Sequence, residues 1–289
     1  MMDSSLERSL LRLKYVVSLV LWCSGANCLI KKFLWHLHGN LPVVVVLCYH
    51  SVTAEQVDNF ESQLDYLRKN DFTFISGKEL LDLMAQPKKF EGHRRYVCLT
   101  FDDCYENSYS VVRPVLEERK LPAICFAVSS KLGQFADWEN SGANSGRLMT
   151  KEQLKEMALS FEIGAHTEHH IRLGNAPYEI ALNEVRNSQK ELTELLGRKV
   201  RFFAYPNGSY NSATSELVSK LEFGAAFAID QHSNYSYDEK YALGRYLVNP
   251  ENLVDFRLKA MGGYDWFFFL KRLFLAKTSE YRKPARLAE

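Results

Sequence analysis

Short apolar runs alternate with amphipathic segments along the middle of the chain. Residues 43–48 and 123–128 are continuous runs of apolar side chains, and residues 96–101 are apolar except for Thr100. Such runs are typical of strands buried on both faces. Residues 58–69 and 177–196 instead repeat apolar side chains at helical spacing. Strands therefore alternate with helices, and this predicts an α/β fold with a parallel sheet. The period alone leaves open whether that sheet is open or closed into a barrel.

The remaining predicted elements are shorter. Thr150 and Gln153 have the spacing of a capping box, which predicts a helix that runs to residue 159. A helix over residues 108–119 tolerates Pro114 only in its first turn or at a kink. The strands predicted in the second half of the chain are residues 162–165, 202–205, 225–229 and 243–248.

Both ends of the chain combine apolar and basic residues. Residues 15–22 and 266–270 are apolar, and basic residues such as Arg12, Lys31 and Lys271 lie close to them in the sequence. Neither run reaches the roughly 20 apolar residues that a membrane-spanning helix needs. Basic flanks around a short apolar helix are typical of a segment that lies in a membrane interface. An ordinary helix packed on the main domain is the alternative interpretation.

Charge is segregated along the chain in the same way. The formal net charge is only +1, so no strong overall field favours a nucleic-acid partner. Residues 1–38 hold five Lys and Arg against two Asp and Glu, and residues 257–289 hold eight against three. The two ends therefore carry +3 and +5, and the middle of the chain carries −7. An anionic membrane surface is the partner that this distribution favours.

The number and spacing of the cysteines indicate the redox state of the compartment in which the protein works. Six of them lie at positions 23, 28, 48, 98, 104 and 125. They are too sparse for a disulfide scaffold, and we interpret most of them as reduced and buried. Together with the basic, apolar ends, this predicts a peripheral or monotopic membrane protein on the cytoplasmic face of a bacterial inner membrane.

Candidate chemistry gathers where two predicted strands end. Asp102 and Asp103 follow one buried strand, and adjacent carboxylates repel unless a cation lies between them or one takes a proton. An Asp pair that caps a helix is the competing interpretation. His166 and His170 follow another strand and are four residues apart, so one helical turn would place them on the same face. Two imidazoles and one carboxylate would leave an open position for water, as in a catalytic site for a divalent metal ion.

A third segment completes the set. Pro206 and Gly208 fix a tight turn directly after the predicted strand 202–205. Such a turn can aim a backbone N–H into the same pocket, where it would stabilise an oxyanion.

In this order, Thr100 to Cys104, His166 to His170 and Tyr205 to Gly208 resemble the three motifs of the polysaccharide deacetylase family, the NodB homology domain of carbohydrate esterase family 4. The resemblance covers roughly residues 41–250 and implies a distorted (β/α) barrel of about seven or eight β/α units. We therefore expect three parts. These are an N-terminal apolar and basic helical segment, 1–40, a NodB homology domain, 41–256, and a C-terminal amphipathic helix with a tail, 257–289.

The resemblance implies a role for each matching residue. Asp102 matches the general base. The ligands of one divalent metal ion, usually Zn2+, match Asp103, His166 and His170. The backbone N–H of Asn207 matches the donor to the oxyanion.

The chain departs from the family pattern at three points. Cys104 replaces the usual glycine after the two aspartates. Ala204 stands where many members carry an arginine that tethers the catalytic aspartate, and we expect Arg245 to supply that charge by pairing with the aspartate. The usual motif of the general acid is missing, which leaves His50 and His232 as candidates. We favour His50 because it follows a buried strand.

The implied activity is removal of N-acetyl groups from an amino sugar in a polysaccharide or a lipid-linked glycan. The expected partners are the acetylated glycan and a membrane surface, with no nucleic acid. Two alternatives are an O-acetyl esterase on the same scaffold and a catalytically silent glycan-binding module. Loss of Asp102 or of a metal ligand would have favoured the silent module, and all four residues are present.

Overall fold

Strand and helix alternate through the middle of the molecule. The computed structural model describes residues 4–90, 94–138, 146–235 and 239–275. Within this part of the chain the helices are α1 (Ser4–Cys23), α2 (Ala26–Leu37), α3 (Val57–Lys69), α4 (Gly77–Ala85), α5 (Arg113–Arg119), α6 (Lys151–Ser160), α7 (Tyr178–Leu196), α8 (Ser212–Lys220), α9 (Leu253–Ala260) and α10 (Asp265–Leu275). The strands are β1 (Val43–Tyr49), β2 (Phe72–Phe74), β3 (Arg95–Phe101), β4 (Ile124–Ala127), β5 (Glu162–Ala165), β6 (Phe202–Ala204), β7 (Ala225–Phe227) and β8 (Tyr246–Leu247).

The strands form one parallel sheet in the order β7-β6-β5-β4-β3-β1-β8, and β2 pairs with the first half of β3. β8 pairs with β1 through Leu47 and Tyr246. Just before β8, Leu243 bridges Phe227 of β7 in parallel. The two edges of the sheet therefore meet through residues 243–247. This confirms the parallel α/β fold, curled into the distorted barrel that the family resemblance implies.

The continuous apolar runs are explained by burial on both sides of the sheet. β1 and β3 pair over seven residues, from Val43 against Arg95 to Tyr49 against Phe101. Alternate side chains of a strand point to opposite faces. Val45 and Leu47 accordingly belong to the large cluster under the surrounding helices, while Val44 and Val46 belong to a second cluster that also takes side chains from β4, β6 and β7. Neither face of these strands needs polar residues.

The helix predicted over residues 108–119 is divided. A π-helical turn covers Ser108–Val112, and α5 begins at Arg113 with Pro114 in its first turn. Proline lacks the N–H that a helix interior requires, so it fits only where a new helix starts. The regular α-helix therefore begins next to Pro114, the position that the sequence allows.

The end segments are held to the body by polar contacts. On α1, the Ser18 hydroxyl accepts a hydrogen bond of 2.9 Å from the indole N–H of Trp266. On α2, the Asn27 amide donates to the Met261 carbonyl at 3.3 Å. The expected domain boundary between residues 256 and 257 falls inside α9, which contacts α1 and α3. The expected tail beyond residue 275 lies outside the described residues.

Candidate active site

The candidate catalytic and metal-binding side chains lie at one edge of the sheet. Asp102 and Asp103 follow β3, His166 follows β5, and Ala204 ends β6. These strands run parallel in the order β6-β5-β4-β3, so their carboxyl ends meet at the same edge. Ligands and catalytic groups of parallel α/β folds gather at this edge.

Three donor atoms converge at the centre of this edge. Oδ1 of Asp103 lies 3.5 Å from Nε2 of His166 and 3.3 Å from Nε2 of His170. Ligand atoms that bind one Zn2+ tetrahedrally at about 2.0–2.2 Å lie roughly 3.3–3.6 Å from each other. One carboxylate oxygen and two imidazole nitrogens are also a donor set of catalytic zinc sites. Both the spacing and the chemistry of the three residues therefore fit a divalent metal ion.

The two histidines are in the form that binds metal. Nδ1 of His166 lies 2.7 Å from the Ala204 carbonyl oxygen, which can only accept, so Nδ1 carries the proton and Nε2 keeps its lone pair. Burial lowers the pKa of His166 to about 4 and that of His170 to about 2. Both rings are therefore neutral near pH 7, as metal ligation requires.

The helical turn predicted for the histidines is wrong. β5 ends at Ala165, and His166 to His170 form an irregular loop in which Thr167 and His170 have the left-handed φ values of 64° and 61°. These two residues bend the chain so that both rings reach Asp103. The Thr167 carbonyl accepts a hydrogen bond from the Ser129 N–H at 3.3 Å, which ties the loop to the segment after β4.

Glu184 on α7 holds the same loop from the other side. Its carboxylate accepts hydrogen bonds from the backbone N–H of His169 at 2.9 Å and from the ring of His169 at 2.8 Å. Its carbonyl accepts from the Glu168 N–H at 3.1 Å. Sequence reasoning missed Glu184, although the sequence contains a signal for it. An acidic residue stands within the apolar stripe of α7, between Ala181 and Val185.

We predict that Glu184→Ala weakens metal binding by about 10–100-fold without abolishing it, as is typical when a residue that orients metal ligands is removed. Metal titration of the apo-protein measures this change. Glu194→Ala, an exposed position on the same helix, is the matched control. Unchanged affinity in the Glu184 variant, or an equal loss in both variants, would contradict this role.

Asp102 is held by Arg245. The guanidinium donates two parallel hydrogen bonds, from Nη1 to Oδ1 at 2.6 Å and from Nη2 to Oδ2 at 2.7 Å, and both side chains are buried. Arg245 also donates to the Ala228 carbonyl and lies over the ring of Phe126. The structure thus places Arg245 where the absence of an arginine at Ala204 led us to expect it.

The pair fixes the charge of Asp102. Burial by itself would raise the pKa of this carboxyl group. Attraction by Arg245, its hydrogen bonds and the nearby rings of His166 and His50 together outweigh burial and hold the pKa well below its usual value. Oδ2 of Asp102 lies 4.0 Å from Nε2 of His166, so an ionised carboxylate stands beside the candidate metal site.

The two candidates for the general acid differ in position. A ring nitrogen of His50, Sγ of Cys48 and a carboxylate oxygen of Asp102 all lie within 4.8 Å of one another. Nδ1 of His232 instead lies 2.9 Å from the Ser233 carbonyl, and its ring stacks on Phe268 of α10. The structure therefore brings His50 to Asp102 and holds His232 against the C-terminal helix.

Two further residues lie beside the site, and the sequence predicted no role for either of them. The thiol of Cys48 donates to Oδ2 of Asp102 at 3.4 Å, and burial raises the pKa of this thiol, so it stays protonated. The indole of Trp138 stacks on the ring of His170, with ring centroids 4.1 Å apart. The sequence assigns no role to either side chain, so only the fold reveals its position.

The turn after β6 needs its particular residues. Asn207 is left-handed, with a φ of 54°, a conformation that asparagine tolerates better than most residues. Gly208 has a φ of 64°, and a Cβ there would lie 2.7 Å from the Ile229 backbone nitrogen. The hydrogen bond from His166 to Ala204 places this turn next to a candidate metal ligand.

The structure also explains the family's glycine at the position of Cys104. Asp103 and Cys104 both have left-handed φ values, of 68° and 54°. Glycine adopts this conformation without strain, whereas cysteine carries a Cβ. Here the Cys104 side chain is completely buried in the core, which offsets part of that cost.

Comparison with known proteins agrees with this site. The Polysaccharide deacetylase family matches residues 89–226, a range that includes both aspartates, the histidine loop and the turn after β6. Residues 89–226 therefore form a polysaccharide deacetylase domain. This match and the relatives named below confirm the enzyme class, polysaccharide deacetylase, that the sequence motifs imply.

Three individual proteins show the extent of the similarity. A poly-beta-1,6-N-acetyl-D-glucosamine N-deacetylase of Staphylococcus aureus is 26% identical over 212 residues, which cover 70% of this chain and 69% of the relative. The structure of IcaB from Ammonifex degensii is 28% identical with a TM-score of 0.67, and the match covers 77% of this chain and 97% of that one. A de-N-acetylase from Aggregatibacter actinomycetemcomitans shares the fold, with a TM-score of 0.63 at 22% identity over 75% of this chain and 99% of that one.

Proposed function

We propose that this polysaccharide deacetylase is a metal-dependent hydrolase that removes N-acetyl groups from a polymer of N-acetylglucosamine. The observation that carries the proposal is the convergence of Asp103, His166 and His170 beside an ionised Asp102. The similar protein from Staphylococcus aureus supports the choice of substrate, since it is named a poly-beta-1,6-N-acetyl-D-glucosamine N-deacetylase. A lipid-linked glycan with the same sugar is the other form of substrate that we propose.

The ligands in this proposal are Asp103, His166 and His170, with Zn2+ as the first choice of ion. A bound divalent cation supplies Lewis-acid chemistry, which polarises a carbonyl group and makes water more acidic. The hydrogen bond from His166 to Ala204 and the hold of Glu184 on the histidine loop keep the ligand atoms oriented.

The surrounding residues move the protons. Asp102 takes a proton from the water that attacks the acetyl carbonyl, and Arg245 keeps this carboxylate ionised and oriented for that step. The backbone N–H of Asn207 donates a hydrogen bond to the oxyanion that develops on the carbonyl oxygen. His50 protonates the leaving nitrogen, so the products are acetate and a free amino sugar.

Acetate and primary amine, measured together, test the choice of bond. We expect equal amounts of both from oligomers of β-1,6-linked N-acetylglucosamine. Chitin oligomers and O-acetylated glycans complete the panel, and we expect slower turnover of both. Acetate without amine would show an O-acetyl esterase, and binding of the oligomers without any acetate release would show a silent glycan-binding module.

A further inference from the structure

Three helices present apolar side chains to the outside of the molecule. On α1 these are Leu13, Val16 and Val20, on α2 they are Leu29, Phe33 and Leu37, and on α10 they are Phe267 and Leu270. We call these eight residues the outer face. Their exposed fractions reach 61% at Val20 and 72% at Leu29. The spacings of three and four residues align them along one side of each helix.

The buried sides of α1 and α2 contain polar residues. Ser18 and Asn27 are almost completely buried and make the hydrogen bonds that hold these helices to Trp266 and Met261. A surface helix of a soluble protein normally has its apolar stripe inside and its polar side outside. In α1 and α2 these polar residues are buried and several apolar residues are exposed, which is expected where a helix faces lipid rather than water.

The outer face continues from one helix to the next. Phe33 of α2 and Phe269 of α10 make an edge-to-face contact, with centroids 6.4 Å apart. An apolar groove between these helices is lined by Leu21, Leu29, Trp266 and Leu270, among others. Single exposed apolar residues are common on soluble proteins, but a contiguous apolar surface of this kind is typical of an interaction site.

α10 is fixed to the body of the enzyme. The carboxylate of Asp265, at its first residue, is buried and accepts hydrogen bonds from the Tyr235 hydroxyl at 2.7 Å, the Ser233 N–H at 2.8 Å and the Tyr246 hydroxyl. Tyr246 directly follows Arg245, which holds Asp102. The outer face is therefore connected to the strand that carries part of the active site.

Basic residues accompany the apolar ones. Arg12 and Lys32 are exposed, and they lie four residues before Val16 on α1 and three residues after Leu29 on α2, the spacings of neighbours on a helix surface. The chain ends that supply these helices carry +3 and +5, against −7 for the middle. The side chains of Lys271 and Arg272, and the whole of Lys277, lie outside the described part of the chain.

We propose that the outer face docks on an anionic lipid bilayer. An anionic surface attracts basic groups near it, while the apolar side chains enter the boundary between headgroups and acyl chains. A second copy of the chain would bring like charges together and is disfavoured on that ground. No single described helix is long and apolar enough to cross a membrane, and α1 from Arg12 together with α2 passes that test only as a pair bent by 94°. The outer face lies on the bilayer in this proposal.

Vesicle co-sedimentation of the full-length protein without substrate tests the proposal, so its result is independent of deacetylation. We expect binding to vesicles of phosphatidylglycerol and phosphatidylcholine, and much weaker binding to phosphatidylcholine alone. Leu29→Glu is expected to weaken binding at least about tenfold, because the side chain no longer enters the apolar layer. Leu159→Glu makes the same substitution at an exposed leucine of α6 and is expected to bind like the wild type.

Two results would overturn the proposal. One is equal vesicle binding by the wild type and by Leu29→Glu, with circular dichroism showing that both are folded. The other is a wild-type dimer that ignores vesicles and dissociates in Leu29→Glu, since a second copy would then cover the outer face.

Discussion

Replacing His166 with alanine is expected to remove the bound divalent metal ion and to reduce acetate release to background. His166 supplies one of three ligand atoms, and its orientation is fixed by the hydrogen bond to Ala204. Only two protein ligands are then left, whereas a catalytic zinc site uses three. Elemental analysis of the purified variant measures the metal content, which we expect to fall from about one ion per chain to near zero.

His169→Ala is the matched control for this result. His169 belongs to the same loop, but half of its side chain is exposed and its ring faces Glu184 rather than Asp103. The backbone N–H of residue 169 keeps its hydrogen bond to Glu184 in this variant. We expect His169→Ala to retain the metal ion. Full metal occupancy in His166→Ala would refute the ligand assignment.

Asp102→Asn is expected to keep the metal ion and to lower kcat by about 100–10,000-fold, the usual contribution of a general base. An amide has nearly the shape of the carboxylate but cannot take the proton from water. Steady-state kinetics with acetate detection, together with elemental analysis, measures both expectations. Near-normal turnover would show that another residue is the base.

This substitution also leaves the buried guanidinium of Arg245 without its counter-charge. Removing one partner of a buried ion pair costs about 3–5 kcal/mol of the free energy of unfolding. A second variant, Asp102→Asn with Arg245→Gln, removes the stranded charge as well. We expect the double variant to unfold at a higher denaturant concentration than the single one while remaining inactive. Recovery of activity along with stability would mean that Asp102 acts only through folding.

Much of the fold follows from local patterns. The apolar runs of β1 and β3 are buried on both faces of the sheet, as continuous hydrophobicity indicates. Thr150 and Gln153 form the predicted capping box at the start of α6. β2 has only three residues, which is too short for a periodic signal. α4 was missed although Ser76 and Glu79 form a capping box in the sequence, so this signal was available.

The site was predictable in composition and less so in geometry. The order of the motifs and the ends of the strands indicated Asp102, Asp103, His166 and His170. The histidine loop could not be predicted from spacing, because its path depends on two left-handed residues and on a contact with Glu184 of the following helix, α7. Strand order is likewise a tertiary property, and it determines which side chains from different strands meet.

The outer face shows the same limit. Hydrophobicity and charge indicated that both chain ends are amphipathic, but they left open which side of each helix is buried. Only the contacts of Ser18 and Asn27 with the body show that polar side chains face inward here.

Acetate release by one protein preparation in three states tests the central claim most directly. The substrate is an oligomer of β-1,6-linked N-acetylglucosamine, and the states are untreated, stripped with a chelator, and stripped then reloaded with Zn2+. We predict release in the first state, none in the second and recovery in the third, with one amine formed for each acetate. Undiminished release by the stripped protein, with metal shown to be absent by elemental analysis, would contradict a metal-dependent N-deacetylase.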